Sequence, residues 1–188
     1  MNTRLAEPNE ERGRVSALRR DGVLDYQTVV EPRLPVLEES ITQLRPGPPA
    51  VDVAVVASDK VWAISAQIHA SSVGVTIMDP AFVAFLSWAG ADECHVNGEL
   101  ARPTNIYMPG AQGGFHIHGG RRETIGVAFC RNQFIDTVAA LRGIGPEDVT
   151  LDARALELAP RAAAGFRARL VELLDQSWGG GRSAQPVV

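Results

Sequence analysis

Apolar and polar positions divide the chain into a strand-like middle, a helical end and two polar margins. Between residues 51 and 130, short runs rich in valine, isoleucine and aromatics cover 51–57, 60–70, 73–78, 82–89, 93–97, 105–108, 114–118 and 124–130. Polar or glycine-containing breaks separate them, among them Ser58-Asp59, Ser71-Ser72, Asp79-Pro80, Asn97-Gly98 and Gly119-Gly120. Runs this short and this evenly spaced predict an antiparallel β-sandwich or barrel. Alternation agrees: Trp62, Ile64, Ala66, Ile68 and Ala70 share one parity, and Ser65, Gln67 and His69 the other. Ile125, Val127 and Phe129 likewise share a face, and Asn97-Gly98 is a two-residue hairpin signal.

After Cys130 the apolar period lengthens from two to about 3.6. Phe134, Val138 and Leu141, with Ile135 and Ala139 beside them, predict a helix that Gly143, Gly145 and Pro146 close. A second helix is expected over about 160–175, with Ala163, Phe166, Leu170, Leu173 and Leu174 on one face and Arg161, Arg167 and Arg169 exposed. The two are expected to pair as a helical hairpin packed on the sheets.

The margins carry fewer apolar anchors. Residues 1–20 are charge-rich and read as mobile chain or a short helix at most. Residues 24–44, interrupted by Pro32 and Pro35, read as an extended lead with a short helix, ended by Pro46-Gly47-Pro48-Pro49. The end, SWGGGRSAQPVV, reads as a linker. The expected organisation is a tail and lead segment (1–48), a β-barrel or sandwich (49–130), a helical hairpin (131–176) and a linker-like tail (177–188).

Composition narrows the function classes. The 188 residues are 45% hydrophobic and 21% charged, as in an ordinary globular domain, with a formal net charge of −4. That balance gives no basic excess with which to hold nucleic acid directly. No apolar run reaches the ~18 residues of a membrane span, and MNTRLAEPNEERGR is too polar for a signal peptide, so a cytoplasmic location is expected. Cys94 and Cys130 are too few for a disulfide framework and lack CxxC spacing; they read as free thiols.

The stretch 105–141 carries the candidate chemistry. His116 and His118, two apart on a strand, share one face, and Glu123 follows a short turn. Three such ligands would suit iron, manganese or zinc. Phe115 and Ile117 occupy the opposite face, however, so burying them sends the histidines outward, and Glu123 has the parity of Ile125, Val127 and Phe129. His69 and His95 also fall on the more polar parity of their strands. Arg121-Arg122 reads as a solvated turn. No GxSxG elbow, GxxxxGK[ST] loop or strand-turn-helix GxGxxG is present.

From Gly110 the pattern GxxxxxHxHxxxxE resembles the first metal-binding motif of cupin enzymes, which implies a metalloenzyme with His116, His118 and Glu123 as ligands. It departs where Cys130 replaces the closing glycine, and no second motif follows. Over about 54–174 the chain also resembles the N-terminal, cupin-like sensor domain of AraC-type transcription regulators. The succession comprises Val96-Asn97-Gly98, Pro109-Gly110 after Ile106-Tyr107-Met108, a last strand ending at Phe129, a helix with Phe134 and Ala139-Ala140-Leu141, and Leu156-Glu157-Leu158 before a leucine-rich helix. That resemblance implies a degenerate cupin-like barrel, a small-molecule effector and no catalysis. It also implies a homodimer formed through the helices, and DNA contact only through a separate C-terminal helix-turn-helix domain. Trp62, Ile64, Phe85, Trp88, Tyr107, Phe115 and Val127 are the expected inward, effector-lining residues, and Phe134, Val138, Phe166 and Leu170 the expected dimer contacts after their share in the core.

Overall fold

The alternation seen in the sequence becomes two antiparallel sheets packed face to face. The computed structural model describes residues 16–20, 35–45, 51–58, 60–90, 92–110, 113–151 and 155–179, with backbone alone for 16–20 and 176–179. Among the described residues the strands are β1 (Ser16–Arg20), β2 (Val36–Gln43), β3 (Val51–Ala57), β4 (Val61–Ile68), β5 (Ser72–Met78), β6 (Phe82–Ala89), β7 (Cys94–Val96), β8 (Glu99–Leu100), β9 (Asn105–Tyr107), β10 (Gly114–Gly119), β11 (Arg122–Cys130) and β12 (Ala155–Glu157). Helices α1 (Arg131–Arg142) and α2 (Pro160–Gly179) follow the β11 strand, with β12 between them.

One sheet has seven strands in the order β1-β3-β4-β11-β6-β9-β12, the other five in the order β2-β5-β10-β7-β8. Among the described residues neither sheet closes on itself or on the other, so the arrangement is a sandwich and not the closed barrel. The interface is apolar from both sides: Leu86, Trp88, Tyr107 and Ala128 of the larger sheet form one buried cluster with Cys94, Val96 and Phe115 of the smaller. A fully buried side chain of this kind stabilises by ~2–3 kcal/mol.

Two margins expected to be irregular or helical are strands instead. β1 pairs with β3, from Ser16 against Ala57 to Arg20 against Val53. β2 pairs with β5 along its length, with an irregularity between Val36 and Glu38. Its inward positions, Glu39, Ile41 and Gln43, face the same way as Thr76, Gly74 and Ser72, and this period of two was hidden by the prolines upstream. The expected features of residues 1–15, 21–34 and 180–188 lie outside the described residues.

The hairpin at Asn97-Gly98 is as expected: φ is 53° at Asn97 and 85° at Gly98, the left-handed pair a two-residue turn needs. The second glycine turn behaves differently. β10 belongs to the five-stranded sheet and β11 to the seven-stranded one, so Gly119-Gly120-Arg121 carries the chain from sheet to sheet. Gly119 has φ 151°, and a Cβ there would collide with Cys94 Sγ and the Glu93 carbonyl. Arg122 braces the corner, donating from Nη1 to the carbonyls of Gly119 (3.3 Å) and Gly120 (3.2 Å). Arg122 is only 5% exposed, so it is no solvated turn residue; Arg121 is exposed.

β11 is covered on both sides. Arg122, Thr124, Gly126 and Ala128 face the sandwich interior, whereas Ile125 and Val127 join Leu170, Phe85, Phe129 and Phe166 under the helices. Phe134 of α1 completes that outer layer, its ring 5.2 Å from Phe85 and 5.8 Å from Phe129. The ring of Phe85 and the side chain of Val127 thus pack in the helix-facing core, and both residues also border the inter-sheet space expected for them. Two buried faces on one strand leave no polar parity to tell inside from outside.

Each helix docks chiefly on the sheet, in place of the expected pairing in a hairpin. On α1 the buried side is centred on Ala139, and Leu141 is 83% exposed because it sits about 90° around the helix from the midline of Phe134, Ile135, Val138 and Ala139. Gly143 ends α1 in the left-handed conformation, φ 65° and ψ 36°, and its N–H donates to the Ala139 carbonyl. On α2, Ala163, Leu170 and Leu174 are buried and Leu173 is exposed. Arg167 lies in the middle of this stripe and donates from Nη1 to the carbonyls of Trp88 (2.9 Å) and Pro103 (2.6 Å).

Candidate functional site

A cavity of about 120 Å³ lies between the sheets. Its larger-sheet wall consists of Trp62, Ile64, Ala66 and Ile68 of β4, Ala84 and Leu86 of β6, and the inner parity of β11. Opposite stand Ile41 of β2, Gly74 and Thr76 of β5, and Phe115 and Ile117 of β10. The cause of the space is legible in the residue sizes. Gly126 pairs with Ile64 and with Leu86, Ala128 with Trp62 and with Ala84, and Gly74 sits between Ile41 and Ile117, so small side chains meet across the gap. Interiors elsewhere are close-packed, and the gap persists here because the side chains that meet across it are small.

The two ends differ in chemistry. At one end Arg122 lies opposite Ile68 on β4 and donates from Nη2 to Ser72 Oγ at 2.7 Å. Thr124 is satisfied by the Ala66 carbonyl at 3.5 Å. Glu39 and Thr76, paired across β2 and β5, bring the remaining polar groups of the lining. At the other end, Trp62 meets Phe82 edge to face, with centroids 5.0 Å apart, and Met78 packs against the same cluster. Trp62 Nε1 is buried there and has no hydrogen-bond partner.

Of the expected effector-lining residues, Trp62, Ile64 and Phe115 are brought together around the cavity, and Phe85 and Val127 border it as well while also packing under the helices. Trp88 and Tyr107 are buried between the sheets but belong to the packed core beside it. Tyr107 Oη accepts from the Arg102 N–H at 2.8 Å and donates to the Leu100 carbonyl, and burial raises the phenol above its ordinary range. Sequence reasoning missed Glu39, Gly74, Thr76 and Arg122. The available signal was the small and polar parity of 122–128 lying opposite the apolar one.

The three metal candidates are not brought together. His116 and His118 are exposed on the outer face of the five-stranded sheet. There His118 stacks on His95 across β7, with centroids 4.6 Å apart and planes at 14°. The His116 N–H is held by Asn97 Oδ1 at 2.9 Å. Glu123 is on the outer face of the other sheet, lining a polar hollow of about 170 Å³ with Asp52, Ser65, Gln67 and Asp175. The switch of sheets at Gly119-Gly120 is the physical reason for the separation: the turn does not return β11 beside β10. His69 is also exposed and meets Asp52, Nε2 to Oδ2 3.0 Å. Among the described residues no three His, Cys, Asp or Glu side chains form a group able to hold a metal ion.

The expected dimer contacts are used inside the chain. Leu170 is buried on the sheet beside Phe166, and Phe134 is stacked on Phe129 and tilted against Phe85. Val138 is half-buried on α1. No described helix is long and apolar enough to cross a membrane.

The fold and site define a mainly β domain, a two-sheet sandwich with helices on one outer face and an apolar cavity inside. Comparison with models of protein families gives no match, and comparison with curated proteins finds none of significant similarity.

Proposed function

We propose that the chain is an effector-sensing domain of the kind that AraC-type transcription regulators carry, taking a small, largely apolar molecule between its two sheets without transforming it. The observation that carries this reading is the cavity, with its glycine and alanine positions on facing strands. Its ~120 Å³ is close to the ~150 Å³ of apolar cavities known to admit benzene, so the effector class is a single ring or a compact branched chain. Burying ~200 Å² of such a molecule at ~25 cal/mol/Å² supplies ~5 kcal/mol. That corresponds to a dissociation constant of roughly 0.1–1 mM.

β11 supplies the route from occupancy to response. One of its faces lines the cavity through Thr124, Gly126 and Ala128, and the other carries Ile125, Val127 and Phe129 under α1 and α2. A ligand that fits one spacing of the sheets better than another biases the seating of both helices by the difference in its affinity, about 1.4 kcal/mol for each tenfold. DNA contact belongs to a separate domain in such regulators.

The test is a titration of 15N-labelled protein with toluene, read by amide chemical shifts, beside an Ala84→Leu variant that fills the cavity. Shifts around Ala66, Ala84 and Gly126 that extend to α1 and α2, and that vanish in the variant, are the expected result. Toluene that leaves those resonances unmoved at millimolar concentration overturns the reading.

A further inference from the structure

Helices α1 and α2 cover the outer face of the seven-stranded sheet, whereas no described helix covers that of the five-stranded one. On this open face β5 is inverted. Ser72, Gly74 and Thr76 point into the sandwich, and Val73, Val75 and Ile77 point out, although a strand with one wet face ordinarily turns its apolar parity inward. One row of side chains crosses all five strands there: Thr42, Val73, His118, His95 and Leu100, each the registered neighbour of the next. Val73 is 39% exposed and Leu100 49%. Between them the rings of His118 and His95 stack, centroids 4.6 Å apart, and among the described residues neither ring makes a hydrogen bond or ion pair. His116 lies in the next row beside Val75, and no three such side chains converge, so the chain offers two imidazoles at one point.

We propose that two copies of this chain join through the outer face of the five-stranded sheet around one divalent cation of the zinc class, held by His95 and His118 of each copy. Two imidazoles are half of the tetrahedral shell such a cation takes, in which nitrogens ~2.0–2.1 Å from the metal lie ~3.3 Å from one another. Rings centred 4.6 Å apart on an open face reach that spacing by tilting. A twofold axis through the pair brings the same two histidines of the second copy to the other half of the shell. Sheets pack face to face ~10 Å apart, so the metal would sit ~5 Å from each backbone, about the reach of a histidine ring nitrogen. At most ~450 Å² of each copy is covered by this face, or ~900 Å² in all, short of the ~1,200 Å² at which stable interfaces begin. The outward valines therefore give a dry surround but too little contact alone, and the cation decides association. This proposal is independent of how the cavity is used.

Sedimentation velocity on the untagged full chain, stripped with chelator and then titrated with zinc, tests it. The 20.1 kDa chain should run as a monomer without metal and at twice that mass with zinc, the change being complete at one ion per two chains. His95→Ala/His118→Ala should stay monomeric in zinc. Val73→Lys keeps both ligands but sets a positive charge from each copy in the apolar contact, and should weaken the zinc-loaded dimer by about tenfold or more. The zinc stoichiometry is read on the wild-type protein, so it stands even where a variant proves unstable. A monomer that persists in zinc, a dimer that persists in chelator, a dimer that forms equally well in the histidine variant, or one indifferent to Val73→Lys overturns the proposal.

Discussion

Arg122 and Ser72 form a buried polar tie between the sheets, Nη2 on β11 to Oγ on β5 at 2.7 Å, at the closed corner of the sandwich. The same guanidinium holds the Gly119 and Gly120 carbonyls, so one side chain joins both sheets and the segment that links them. Replacing Arg122 by leucine strips donors from three oxygens and should destabilise by roughly 2–4 kcal/mol, whereas Ser72→Ala should cost about 1–2 kcal/mol. Urea unfolding measures both; equal small losses would contradict the assignment of Arg122 as the tie.

Gly119 and Gly98 both have positive φ but differ in surroundings. At Gly98 nothing lies within 4 Å of an added Cβ, so Gly98→Ala meets backbone strain alone and should cost about 1 kcal/mol. At Gly119 the methyl also meets Cys94 Sγ and the Glu93 carbonyl, and Gly119→Ala should cost more than about 3 kcal/mol. Paired thermal melts decide it.

Arg167 and Arg169 make a similar contrast on α2. Arg167→Ala removes two hydrogen bonds to carbonyls of the sheet side and should destabilise by ~1–2 kcal/mol. Arg169 has only an exposed pair with Glu172, 3.0 Å at i,i+3, and its alanine variant should be within ~0.5 kcal/mol of wild type. Amide exchange in α2 should quicken in the first variant and stay unchanged in the second.

The two cysteines should differ in reactivity. Cys94 is 1% exposed, donates from Sγ to the His118 carbonyl, and burial pushes its thiol above the ordinary range against the pull of Arg122. Only the thiolate reacts quickly, so at neutral pH a disulfide exchange reagent should modify Cys130 and leave Cys94 until unfolding. Two thiols released at one fast rate from native protein would be the contrary result.

Asp92 gives an acid dependence of known sign. Its carboxylate accepts the Arg121 N–H at 2.8 Å, and that bond holds its pKa below the ordinary 3.8. A depressed folded value means that the stabilisation is present above the unfolded pKa and fades as pH falls through the folded one. The stability gap between wild type and Asp92→Ala should be full at about pH 6 and shrink steadily below about pH 4. A gap that widened on acidification would reverse the assignment.

Single-faced strands were legible in the sequence and double-faced ones were not. In β10, Phe115 and Ile117 point inward and His116 and His118 outward, as alternation requires. β11 has both faces buried, so the apolar parity of Ile125, Val127 and Phe129 gave no direction, and the cavity wall was the parity with the smaller residues. Five of the named lining residues, Trp62, Ile64, Phe85, Phe115 and Val127, border the cavity, whereas Trp88 and Tyr107 lie in the packed core beside it. Arg122 escaped notice because the glycines before it suggested a hairpin tip, and only the pairing pattern shows a passage between sheets. Arg167 was within reach: it stands four residues after Ala163 and three before Leu170, on the stripe that α2 buries.

The cavity also sets how the molecule answers to compression. Unfolding in water abolishes internal voids, so the unfolded chain occupies less volume in proportion to the empty space removed. The space of about 120 Å³ between the sheets opens partly to solvent, so the share of it that stays unhydrated adds to the volume lost on unfolding. Hydrostatic pressure therefore acts on this fold through the same glycine and alanine positions that would admit a ligand, and Ala84→Leu, by closing the space, yields a sandwich that is harder to squeeze apart.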